Sequence, residues 1–113
     1  MKIPCPTFYV YIISNAGHTV FYIGVTNNIK RRALEHRMGE GSDFTSKYKL
    51  TCLLYYEQFG YIEDAIKREK QLKNRHRDWK INLIKEKNPE MKDLAVDWFK
   101  NIGKAQDAET SSA

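Results

Sequence analysis

An α+β fold, a three-stranded antiparallel β-sheet flanked by helices, is what this sequence predicts. Three observations predict it. Two aromatic and β-branched runs, residues 8–13 (Phe-Tyr-Val-Tyr-Ile-Ile) and 20–25 (Val-Phe-Tyr-Ile-Gly-Val), stand close together with turn formers between them. A third run of that kind spans residues 52–59. Around these runs the apolar residues fall at helical spacing.

The first two runs are expected to pair as a hairpin, because Ser14-Asn15-Ala16-Gly17-His18-Thr19 is short and rich in turn residues. With Asn15 to His18 as the loop, Ser14 pairs with Thr19 and Tyr11 lies opposite Tyr22. Cross-strand partners share a face, so that register sets two phenols side by side. A one-residue slip would separate them. Thr26-Asn27-Asn28 supplies cap candidates for a helix running to about Met38. Its apolar stripe is thin, Ile29 and Ala33, and Arg32 and His36 fall on the same side. Gly39-Glu40-Gly41-Ser42 reads as a loop. Gly60 ends the third strand. A helix follows over about 62–75, with Ile62, Ala65, Ile66 and Leu72 at helical spacing and Glu69 on their stripe. A carboxylate there needs a cation or an open cleft, since burying it alone is costly. A further helix over 79–87 uses Trp79, Leu83 and Ile84, and Asn88-Pro89 ends it. A last helix is expected over 93–102, and residues 104–113, which lack an apolar pattern, read as a disordered tail. Residues 1–103 thus form one domain.

Composition narrows the function. The 113 residues suit one domain, and 42% hydrophobic with 29% charged residues is the balance of a folded chain, not a disordered one. Nineteen Lys and Arg against 14 Asp and Glu leave +5, which favours a polyanionic partner without identifying one. No apolar run is long enough to span a membrane, and the first residues lack the apolar core of a signal peptide. Two cysteines, Cys5 and Cys52, without CxxC spacing fit a reducing cytoplasm better than a disulfide framework. Cys5, Cys52, His18, His36 and His76 show no zinc-ligand spacing.

Tyr9-Val10-Tyr11 followed by Tyr22-Ile23-Gly24 resembles the paired signatures of the GIY-YIG nuclease superfamily. Arg32 stands ten residues after Tyr22, His36 one helical turn later, and Glu69 lies on a helix after the third strand, within Arg68-Glu69-Lys70-Gln71-Leu72-Lys73. The match runs over about 7–99 and is closest in style to small stand-alone bacterial members. Tyr9 and Val10 depart from the first signature, and Asn82 is a loose counterpart of the family's later asparagine. The resemblance implies the nuclease fold and a metal-dependent endonuclease acting on nucleic acid, DNA ahead of RNA, in repair, recombination or mobile-element handling. Tyr11, Tyr22, Arg32, His36 and Glu69 would be its catalytic residues. Glu69 would hold one Mg²⁺ or Mn²⁺, Arg32 would contact the phosphate, a tyrosine would orient or deprotonate water, and His36 would share the proton work. No small-molecule cofactor is implied.

Each residue also has a plain structural reading. The tyrosines suit strand packing, His36 a buried histidine, and Glu69 an ion pair with Arg32. Gly24 could mark a bulge or let a phosphate reach the backbone. The basic segment 67–80 is either a solvated face or a phosphate-tracking surface, with Lys67, Lys70, Lys73, Arg68, Arg75 and Arg77 as contacts beside Gly24 and Asn82. Lys30, Arg31, Arg37 and Lys47 could extend it. The competing functions are a non-catalytic nucleic-acid-binding module and a protein-interaction domain.

Overall fold

The computed structural model describes residues 7–96 and 98. Strands β1 (Phe8–Ser14), β2 (Phe21–Thr26) and β3 (Cys52–Phe59) form one antiparallel sheet in the order β2-β1-β3. Helices α1 (Ile29–Arg37) and α2 (Asp43–Lys47) lie between β2 and β3, and α3 (Ile62–Lys73) and α4 (Arg77–Lys87) follow. The fold class is the expected one. The short helix α2 is an addition, capped by the Ser42 side chain, which accepts from Thr45 N. Asn28 caps α1 by accepting from Arg31 N. Of the helix expected over 93–102, residues 93–96 and 98 are described, and the chain is helical there at 96 and 98 but not at 93–95. The tail over 104–113 and Cys5 lie outside the described residues.

Both faces of the sheet are covered, which is why β1 is buried almost throughout. Val10, Ile12, Ile23, Leu54 and Tyr55 point to one side, against Ala65 and Leu72 of α3 and Ile84 of α4. Tyr11, Ile13 and Leu53 point to the other, against Ile29 and Ala33 of α1 and against Leu50. Each fully buried aliphatic chain contributes roughly 1.5–3 kcal/mol. A bulge between Ile12 and Ile13 lets Leu54 and Tyr55, consecutive in β3, enter the same core.

The hairpin register differs from the expected one. Tyr11 pairs with Gly24, Ile13 with Tyr22 and Ser14 with Phe21. The cause lies in the turn. The Asn15 carboxamide oxygen accepts from Thr19 N at 2.8 Å and Val20 N at 3.1 Å, and His18 takes a left-handed φ of 58°. The loop therefore spans residues 15–20, two more than the expected 15–18. A shift of two preserves face parity, so Tyr11 and Tyr22 remain on one side, now diagonal, with ring centroids 6.4 Å apart.

Arg68 and Asn88 are two of the residues that fasten the C-terminal part to the sheet. Arg68 binds Glu57 of β3 through Nε and Nη2, each at 2.9 Å, and Tyr55 donates its hydroxyl to the same carboxylate. Burial would raise the Glu57 pKa, but the bonds from Arg68 and Tyr55 outweigh it and hold the acid low. Asn88, buried at the end of α4, donates to Leu54 O at 3.0 Å and Lys92 O at 2.8 Å and accepts from Lys92 N at 3.1 Å. Asn88→Ala would leave a buried carbonyl without its partner. It should cost about 2–3 kcal/mol, read as a lower midpoint in urea unfolding, with Asn82→Ala as the near-neutral control because Asn82 is exposed.

Candidate active site

One cleft of about 520 Å³ is lined by Tyr11, Tyr22, Gly24, Arg32, His36 and Glu69, together with Val25, Gly41, Ser42, Ile62 and Ile66. All five residues named as catalytic from the sequence therefore share it, though they come from β1, β2, α1 and α3. The placement follows from the topology. β2 is an edge strand, α1 packs on one face of the sheet and α3 on the other, so both helices border that edge. The stripe read on α3 divides in two. Ala65 and Leu72 enter the core, while Ile62, Ile66 and Glu69 line the cleft. A larger cleft of about 630 Å³ lies on the other side of His36, but no carboxylate lines it.

The deepest part of the site is a hydrogen-bonded chain. Tyr11 Oη lies 3.1 Å from His36 Nε2, and His36 Nδ1 lies 3.1 Å from Thr45 Oγ1. Thr45 Oγ1 donates to the Ser42 carbonyl at 3.2 Å. Thr45 Oγ1 also lies 3.0 Å from Ser42 Oγ, and the Ser42 carbonyl accepts from Ser46 N at 2.9 Å as well. We assign the Thr45 proton to Ser42, so that its oxygen receives Nδ1–H. Nε2 is then bare and accepts the Tyr11 proton, an assignment made from the network. Tyr11 and His36 are each only 3% exposed. Burial, joined by the Arg32 charge, lowers the His36 pKa to about 4, so the ring is neutral near pH 7. Burial likewise pushes the Tyr11 phenol far above its ordinary value.

Two glycines make room for this chain. A Cβ at Gly24 would stand 2.5 Å from Tyr11 Oη, and one at Gly41 would stand 2.0 Å from His36 Nδ1. Gly24 thus opens space for the phenol across the strand pair, a reason the sequence did not disclose. Gly41 lay in a segment read only as a loop.

The charged groups sit at the cleft wall. Arg32 Nη1 pairs with Glu35 at 3.1 Å, while its Nε is buried without a hydrogen-bond partner. Such an orphaned donor is costly unless a ligand satisfies it. Glu69 pairs with Lys73 one turn along α3, at 3.1 Å, and not with Arg32 as its structural reading supposed. The remaining basic residues divide. Lys67 and Lys70 are exposed. Arg68 is engaged by Glu57. Arg75 lies over the Trp79 ring, and Arg77 donates to the carbonyls of His18 and Thr19, tying α4 to the hairpin. Asn82 is exposed on α4 and does not line the cleft. The sequence reading missed Gly41, Ser42 and Thr45. Their available signal was the Ser42 cap followed three residues later by Thr45.

Comparisons with known proteins bear on the family and the fold. A family model described as the GIY-YIG catalytic domain matches residues 7–82. A UPF0213 protein of Pediococcus pentosaceus is 36% identical over 86 residues, which is 75% of this chain and 90% of that protein. A UPF0213 protein of Natronomonas pharaonis is 37% identical over 76 residues, 67% of this chain and 88% of that one. The solution NMR structure of a UPF0213 protein from Bacillus halodurans matches with a TM-score of 0.50 at 25% identity, covering 80% of this chain and 96% of that one. The matched span contains every residue of the Tyr-His-Arg-Glu cleft, and the chain belongs to the GIY-YIG family.

Proposed function

We propose that this chain is a metal-dependent endonuclease that hydrolyses phosphodiester bonds in nucleic acid, DNA ahead of RNA. The observation that carries the proposal is Arg32. Its Nε is buried and has no hydrogen-bond partner among the described residues, and its side chain lines the same cleft as a carboxylate and two phenols. A phosphate oxygen is the acceptor that such a donor suits, and guanidinium binds phosphate strongly.

The donor set fits a divalent ion. Among the described residues Glu69 is the only carboxylate lining the cleft, and no group of three or more His, Cys, Asp and Glu could hold a metal. A single hard carboxylate beside phosphate oxygens and water suits Mg²⁺ or Mn²⁺, which this protein would hold weakly before substrate arrives. When bound, the ion supplies positive charge for the phosphoryl and leaving oxygens. Lys73 holds the Glu69 carboxylate until then.

The chain's own groups perform the remaining work. Arg32 binds the phosphate and stabilises the charge that grows on it. Tyr22, half-buried beside the cleft, orients the attacking water. Tyr11, whose proton is already directed at His36, keeps lone pairs free to accept a proton from that water. As Tyr11 takes that proton it passes its own to Nε2, so no buried phenolate forms. The arriving phosphate also offsets the Arg32 charge that helps hold the imidazole neutral, which raises the basicity of His36 when it is needed.

Two tests follow. Glu69→Gln should lower Mg²⁺-dependent cleavage of nicked, branched or single-stranded DNA by roughly a hundredfold or more while binding is retained. A wild-type protein that binds but cuts none of these with Mg²⁺ or Mn²⁺ would leave a binding module on the same fold. In the folded protein, the His36 ring should titrate near pH 4 by NMR. In the unfolded chain it protonates near 6.5, so the unfolded state binds more protons between these values. The fold should therefore lose stability as pH falls from about 6.5 to 4. A His36 midpoint near 6.5 would contradict the assignment.

A further inference from the structure

Of the large apolar side chains exposed among the described residues, Ile62 and Ile66 line the cleft and Phe44 and Tyr48 lead away from its Tyr22, while Met38, Tyr61, Leu94 and Val96 do not line it. Phe44 is 46% exposed and Tyr48 42%, both on or next to α2, and Ile62 and Ile66 line the wall formed by α3. The rings form a series leading out of the site. The Phe44 centroid lies 6.0 Å from that of Tyr22, and the Tyr48 centroid lies 4.9 Å from that of Phe44. Lys47 Nζ stands 5.5 Å from the Tyr48 centroid, and exposed Lys49 follows. Glu40 and Asp43 lie close in sequence, so the strip combines both signs of charge with rings open to solvent.

We infer that α2 is a base-stacking platform, and that the substrate carries unpaired nucleotides beside the scissile phosphate. This inference rests on the nuclease reading and names its substrate class. The argument is chemical. In a duplex the faces of the bases are already stacked on one another, so exposed rings gain little from it. An unpaired base offers a free π-face to an aromatic side chain whatever its identity, and lysine ammonium groups beside the ring meet the backbone phosphates. The ladder meets the catalytic cleft at Tyr22 and ends at Tyr48, which lines the neighbouring larger cleft, so a strand whose phosphate sits at Arg32 can run from one cleft to the other with its adjacent bases on Phe44 and Tyr48. Ile62 and Ile66 give the opposite wall an apolar surface for the nucleotide on the other side. A protein partner has no comparable reason to meet these rings at the mouth of a phosphate site.

Binding, measured without divalent metal, separates this inference from the reading it rests on. Fluorescence anisotropy would compare a labelled oligothymidylate and oligouridylate of about twelve nucleotides with a duplex of the same length. The expected result is tighter binding of the single strands, weakened about tenfold or more by Phe44→Ala and by Tyr48→Ala. Duplex binding should change much less. Phe44→Tyr and Tyr48→Phe should keep the affinity, and Phe44→Leu should not, since the face of the ring is what is used. Which single strand binds more tightly distinguishes DNA from RNA. Equal losses on single strand and duplex, or none, would overturn the platform while leaving the nuclease reading in place. Failure of the wild type to bind any of the three would overturn both.

Discussion

The hydrogen bond between the Tyr11 phenol and the His36 imidazole is the contact on which the site depends. Both groups are nearly buried, so each polar atom must find a partner inside the protein. The pairing requires Gly24 opposite Tyr11 and Gly41 beside His36, because a methyl group at either position would occupy the space of the ring. It also requires α2, which supplies Thr45 to the far side of the imidazole. A strand pair, a helix and a loop are thereby held to one geometry by a chain of three side chains.

Around this settled interior the cleft wall is left unsettled. Among the described residues the Nε of Arg32 has no partner, and Glu69 is held by a lysine from its own helix. Uncompensated polar groups of this kind lower stability, and they persist where a ligand completes them. The division of labour within α3 has the same logic. Ala65 and Leu72 anchor the helix in the core, and the neighbouring stripe of Ile62, Ile66, Glu69 and Lys73 is free to face solvent and ligand. Arg68 and Arg77, in the same basic segment, stabilise the fold instead. A run of positive charge in sequence is thus divided between side chains that tie α3 and α4 to the sheet and hairpin and lysines that stay exposed.

Much of this was legible in the amino-acid order. Strand composition and helical period revealed the sheet and the helices α1, α3 and α4, because both faces of a buried sheet demand β-branched and aromatic runs. Arg32, His36 and Glu69 were visible as polar residues on apolar stripes. The hairpin register was not legible, since the Asn15 side chain replaces backbone pairing and lengthens the turn. Helix α2 escaped because five residues show too little periodicity, and Thr45, Gly41 and Asn88 escaped with it because their roles are contacts across the chain. The fates of Arg68 and Arg77 were likewise decided by tertiary partners that local sequence does not name.

The direction of the Tyr11 proton is the claim on which the proposed chemistry turns. Long-range ¹⁵N NMR of the imidazole in the folded protein near pH 7 reads it directly. The account predicts that His36 carries its hydrogen on Nδ1, facing Thr45, with a bare Nε2 facing Tyr11. A hydrogen on Nε2, with Nδ1 bare, would mean that Tyr11 receives a proton from the ring and cannot pass one to it.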